Sequence, residues 1–205
     1  MGDTPPYNPL DKRNLGASIV EALLQKMPQP LAELNDFQGA GIYAIYFTGD
    51  SKLYSPLAKR NQRGKFAWPI YVGKAIPEGG RKGAATIGDY KGKALHKRLN
   101  EHARSIEQAG NLNLDDFQCR YLMVDDIWIP LAESLLISKL LPPWNCSLDG
   151  FGIHDPGGGR RKGQRSVWDV IHPGRPWAKL SAENAKSGKE ISAELEAFIR
   201  ETVNR

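Results

Sequence analysis

Nine consecutive residues, Gly39-Ala40-Gly41-Ile42-Tyr43-Ala44-Ile45-Tyr46-Phe47, carry no charge and are rich in β-branched and aromatic side chains. Such a run fits a strand sheltered by the rest of the chain, and Gly49-Asp50 stops it. A sheltered strand needs partner strands beside it and helices over it. The sequence offers both. Phe66 to Val72 reads as a second strand ending at Gly73, and Phe117 to Val124 as a third. Helical spacing appears in 11–27 (Leu15, Ile19, Val20, Leu23, Leu24, Met27), where Pro28 and Pro30 end it, and in 94–109 (Leu95, Leu99, His102, Ile106). A helix beginning near Pro130 runs through Leu140, and a last amphipathic helix spans Ile191 to Val203. The segments 50–66, 74–93 and 149–179 show no period and read as polar or Gly-rich excursions. The first two strands are expected to pair as a hairpin. The result is an α+β design, a small three-stranded antiparallel sheet flanked by helices.

Charge is distributed unevenly. The formal net charge is +5, which alone decides little. Basic residues gather in 52–104 and 160–179, while acidic ones sit at the two ends and in 107–133. That separation suits a groove for a phosphate backbone. No stretch of about 18 apolar residues exists, so no membrane span is expected. The polar, Pro-rich start lacks the pattern of a secretory signal. Cys119 and Cys146 are the two cysteines, too few for a disulfide framework and without zinc spacing. A cytoplasmic protein with two structural thiols is expected.

The order of certain residues narrows this further. Gly41-Ile42-Tyr43 on one strand and Tyr71-Val72-Gly73 on the next resemble the two halves of the GIY-YIG nuclease signature. Arg98 follows on a helix, Glu133 lies near the start of a later helix, and Asn145 follows that helix after Trp144. His102, one turn beyond Arg98, is similar to the type II restriction endonuclease branch. The resemblance covers about residues 37–147. Two departures stand out: Val72 replaces the Ile of the family name, and the hairpin is longer than in a minimal domain. Taken singly, each residue has an ordinary structural reading; together, and in this order, they point to the family.

The chemistry agrees. Phosphodiester hydrolysis needs an activated water, charge neutralisation at the phosphate and help for the leaving oxygen. Tyr43 and Tyr71 on neighbouring strands can converge on one face, and Arg98 and His102 share a helix face. Glu133 is the only carboxylate in the first two turns of its helix, among apolar neighbours, and a hard cation such as Mg²⁺ would account for it. No cluster of carboxylates suggests a second metal. The resemblance implies roles: Tyr43 orients or deprotonates the water, and Tyr71 binds the phosphate or the metal's water shell. Arg98 holds the phosphate, Glu133 binds the metal, His102 assists Tyr43, and Asn145 fixes the phosphate or a catalytic group. Ionising a tyrosine at pH 7 costs about 4 kcal/mol, so His102 is its natural proton partner.

Three regions are expected: an N-terminal arm and helix (1–36), the nuclease core (37–147) with basic insertions at 48–67 and 74–93, and an Arg/Gly-rich DNA-contact segment with a C-terminal helix (148–205). Candidate DNA contacts are Arg63, Lys74, Arg81, Lys82, Arg160, Arg161, Lys162, Arg165 and Arg175. An arginine-rich reader suggests a GC-rich palindrome. The expected protein is a site-specific endodeoxyribonuclease acting on double-stranded DNA with one Mg²⁺ per site (Mn²⁺ able to substitute), as a homodimer on its DNA. The first and last helices would either form that dimer or pack on their own core. The alternatives are a homing or repair-type nuclease of the same superfamily and a non-catalytic DNA-binding module on the same fold.

Overall fold

The computed structural model describes residues 8, 11–77, 92–153 and 163–203. Within them one antiparallel sheet forms, in the order β1-β4-β2-β3. Its strands are β1 (Gln29–Pro30), β2 (Gly41–Phe47), β3 (Tyr71–Ala75) and β4 (Phe117–Met123). The two-residue β1, paired to β4, is a fourth strand beyond the three expected. Strand β2 pairs with both β3 and β4, and all of its residues are buried.

Both faces of the sheet are covered, which explains why β2 contains no polar alternation. Ile42, Ala44, Tyr46 and Val72 face a layer built from α1 (Lys12–Leu24) and α4 (Ile129–Leu140). Tyr43, Ile45 and Phe47 face α3 (Ala94–Gln108), α7 (Gly188–Val203) and the turns around Trp144, Phe151 and Trp168. The first helix packs on α4, where Gly16 abuts Leu135, and the last packs on α2 (Ser55–Asn61), α5 (Pro143–Cys146) and α6 (Val167–Ile171). Both terminal helices therefore pack on their own core.

Two buried polar residues fix the long hairpin. Asn61 donates to the carbonyls of Phe47 and Trp68 and accepts from the Trp68 N–H, so it ties both ends of the insertion together. Arg120, on β4, donates to the Lys26 and Phe66 carbonyls and to the Tyr46 hydroxyl, with its guanidinium over the Tyr46 and Phe66 rings. These anchors correct two expectations. The segment 50–66 folds into a 3₁₀ turn (Lys52–Tyr54) and α2, because Tyr54, Leu57 and Ala58 enter the core. The second strand begins at Tyr71, not Phe66, and runs through Gly73 to Ala75. Phe66 has φ 40°, which no strand accommodates. Likewise 149–179 is not irregular throughout; it contains α6 and a 3₁₀ turn, Pro176–Leu180. Cys119 is buried and Cys146 exposed.

A hydrogen-bond chain joins the insertion to the C-terminal part. Its members are His172, Asn111, Tyr54 and Trp144. The His172 Nδ1–H faces Asn111 Oδ1 at 3.0 Å, the Tyr54 hydroxyl faces Nε2 at 2.7 Å, and the Trp144 indole N–H donates to Tyr54 at 2.9 Å. Burial, reinforced by Arg175, pushes the His172 pKa down to about 3. The unfolded chain would bind this proton near pH 6.5. The stabilisation is therefore whole above about pH 6.5 and is lost as pH falls toward 3. On cooling-corrected melts between pH 7 and pH 4, the wild type is expected to lose more stability than His172→Gln. Equal pH slopes in the two proteins would remove His172 as the source.

Candidate active site

The antiparallel register places Tyr43 opposite Gly73 across β2 and β3. That pairing sets the tyrosine geometry. Tyr43 lies fully inside, and a Cβ added at position 73 would sit 2.3 Å from its hydroxyl. The glycine of the second half-motif is thus the space that the tyrosine of the first half occupies. Tyr71, two residues earlier on β3, lies on the same face, with its ring 6.3 Å from that of Tyr43.

Helix α3 crosses this face. Its buried side carries Leu95, Leu99, His102 and Ile106, so the apolar stripe that docks the helix also delivers the histidine. His102 Nε2 lies 2.6 Å from the Tyr43 hydroxyl, and both groups are buried. Arg98, one turn earlier, stands at the margin of the core. Its Nη2 donates to the Gly152 carbonyl at 2.8 Å, and its Nη1 to Glu101 at 3.2 Å.

Glu133 lies on α4, which packs against β3. It forms an ion pair with Lys74 at 2.6 Å, with side chains 18% and 33% exposed. Lys74, an expected DNA contact, is the partner of this carboxylate. Asn145, expected to fix the phosphate or a catalytic group, holds the strand that carries Tyr71. Its amide accepts from the Val72 N–H and donates to the Val72 carbonyl, each at 2.8 Å. It therefore holds the stretch of β3 between Tyr71 and Gly73.

Burial raises the pKa of Tyr43 well above the usual range, with Tyr71 adding to the rise and the Arg98 charge opposing it. Burial likewise pushes Tyr71 up to about 12, again opposed by Arg98. A neutral Tyr43 hydroxyl beside a histidine nitrogen can hand over its proton without solvent. The Arg98 cation favours the negative charge that remains. The Glu133 negative charge raises both tyrosines further. A divalent cation there would relieve that repulsion.

Glu133 fits such an ion. Its carboxylate is largely withdrawn from solvent and already holds a cationic group, the Lys74 ammonium. Among the described residues no group of three or more His, Cys, Asp or Glu could hold a metal. Glu133 is the carboxylate that would hold a hard cation there.

The remaining candidates separate. Arg63 is exposed in a turn, next to Gly64. Arg165 is half-buried, with its Nε on the Ala178 carbonyl. Arg81, Lys82, Arg160, Arg161 and Lys162 lie outside the described residues. Arg175 is corrected: it is 1% exposed and bound to Asp169, so it does not face DNA. His96 sits 3.7 Å from Asp36. Sequence reasoning missed Phe151 and Gly152. The Phe151 ring stacks on His102 at 4.6 Å, and Gly152 approaches Tyr71 and Arg98. Their signal was faint: one aromatic between two glycines in a stretch without period.

Gly73→Ala tests the packing argument. Tyr43 is enclosed and its hydroxyl is tethered, so the methyl group has nowhere to go. The substitution is expected to cost about 1–3 kcal/mol of stability, as overpacking does, measured by denaturant titration. A variant as stable as wild type would mean that Tyr43 is free to move aside.

No match is found among curated proteins. The family model described as the Eco29kI GIY-YIG domain matches residues 35–199, most of the chain including the segment after residue 147. The chain therefore belongs to the Eco29kI-type GIY-YIG family, a family of type II restriction endonucleases.

Proposed function

We propose that this protein is a sequence-specific type II restriction endonuclease. It hydrolyses phosphodiester bonds of double-stranded DNA with a single divalent metal, Mg²⁺, at a GC-rich palindrome, and acts as a homodimer on DNA in the cytoplasm. The observation that carries the reading is the buried Tyr43–His102 pair at 2.6 Å, bordered by Arg98 and by Glu133. The restriction-type family match supports it over a homing or repair role.

In this reading Tyr43 positions the attacking water and takes its proton. His102 receives the Tyr43 proton, which makes ionisation of a buried tyrosine feasible at neutral pH. Arg98 stabilises the charge growing on the scissile phosphate, and Tyr71 orients the phosphate beside it. Glu133 would hold the metal, which supplies Lewis-acid polarisation of a phosphate oxygen when bound. Lys74 gives up its partner at that point and turns to the DNA backbone. Asn145 keeps β3 in place under the reaction. Arg63 and Arg165, with Arg81, Lys82, Arg160, Arg161 and Lys162, supply phosphate and guanine contacts. The basic distribution along the chain supports this.

The test is digestion of plasmid and viral duplex DNA with Mg²⁺. Wild type should give discrete bands, and Glu133→Gln should cut at least about 100-fold more slowly. Diffuse nicking by wild type would favour a repair-type enzyme. Tight binding without cutting would favour a binding module. His102→Ala should lower the single-turnover rate by about 100-fold or more at neutral pH. Full-rate cutting by that variant would end the proton-relay account.

A further inference from the structure

Arg175 lies far along the chain from the signature residues, yet its surroundings lead straight to them. The side chain is 1% exposed. Its Nε and Nη2 each meet one Asp169 oxygen at 2.6 Å. The guanidinium is sandwiched between the Trp168 and Trp177 rings, at 4.5 and 4.6 Å. Burying an ion pair is costly, and apolar residues of similar size often serve a core as well or better. What an apolar side chain could not do is use the remaining donors. They go to one turn: the carbonyls of Gly150 at 3.0 Å, Ile153 at 2.7 Å and Phe151 at 3.3 Å.

That turn touches three residues of the candidate site. The Phe151 ring lies nearly parallel to the His102 ring, at 4.6 Å and 22°, and edge-on to Tyr71 at 4.9 Å. The Gly152 carbonyl accepts from Arg98 Nη2 at 2.8 Å. A Cβ added at Gly152 would fall 2.5 Å from the Tyr71 hydroxyl. The turn thus forms a wall of the site, and a guanidinium fork in a tryptophan slot fixes its backbone.

We infer that the Asp169–Arg175 pair is a positioning device for the reaction: it clamps the Gly150–Ile153 turn, which in turn sets the Arg98 guanidinium and the His102 ring. The inference rests on the nuclease reading above. Arg175 and Asp169 touch no substrate; they act through Phe151 and Gly152. The segment after the signature core is therefore a working part of the site. The match of the family domain beyond residue 147 agrees with this.

The test compares wild type, Arg175→Lys and Gly152→Ala. Three quantities are read: duplex affinity without divalent cation, single-turnover cutting rate with Mg²⁺, and the NMR shifts of the His102 ring protons. The Phe151 ring current makes those shifts a report on the stack. Arg175→Lys keeps the charge and loses the fork. Gly152→Ala keeps the ion pair whole, and decides the matter if the lysine variant does not fold. Folded variants are expected to bind duplex within about twofold of wild type and to cut about 100-fold more slowly, the usual effect of an ångström-scale displacement. Their His102 shifts should move. Wild-type cutting by folded Gly152→Ala, or rate losses that only follow weaker binding, would overturn the inference. If wild type itself cuts no duplex, the nuclease reading fails by itself. The ring shifts then still decide whether the clamp sets the turn: unchanged shifts in the folded variants would refute it.

Discussion

The strand Gly41–Phe47 is hydrogen-bonded along both edges and covered on both faces, and the other elements are placed relative to it. The tyrosine at its centre is buried. Its hydroxyl must be satisfied inside the protein, and the helix that covers this face supplies His102 for the purpose. The glycine opposite makes room. Under the proposed function, stability and chemistry draw on the same contact. Removing the partner would leave a buried hydroxyl unsatisfied, as well as removing a proton acceptor.

The molecule contains a second buried tyrosine–histidine pair, Tyr54–His172, of almost the same length. The two pairs differ in what surrounds them. Asn111 and Trp144 complete the hydrogen bonds of the second pair, and its histidine stays neutral down to about pH 3. It has no proton to gain in the ordinary range. The first pair borders Arg98 and Glu133, charges of opposite sign whose influence on Tyr43 is opposed. Identical side chains thus meet different electrostatic surroundings through what lies one contact further out.

Much of this was legible in the sequence. The strand β2 and the helices α3, α4 and α7 follow from hydrophobic period, because each buries a defined face. The four-residue spacing of Arg98 and His102 carried through to one helix face at the tyrosines. The start of β3 was misjudged because Trp68 and Ile70 have strand-like side chains; Asn61 and the backbone at Phe66 claim that stretch instead. Arg175 was misread for a different reason. Arginine is ordinarily exposed, and nothing in a linear sequence reveals two tryptophans closing over one. The Phe151 turn escaped for the same cause, since its importance lies wholly in contacts with residues distant in sequence.

The way residues 144–145 meet β3 has a consequence for how copies of this protein behave in a crowded solution. The Trp144 N–H donates to the Ile70 carbonyl, and the Asn145 amide takes both polar groups of Val72. These groups lie on the side of β3 away from β2, so the segment mimics one more strand without being one. A sheet border left open would template pairing with another chain. Here the border next to the tyrosines is closed by a side-chain amide. The residue that steadies the site thereby also guards that stretch of the sheet against edge-to-edge aggregation.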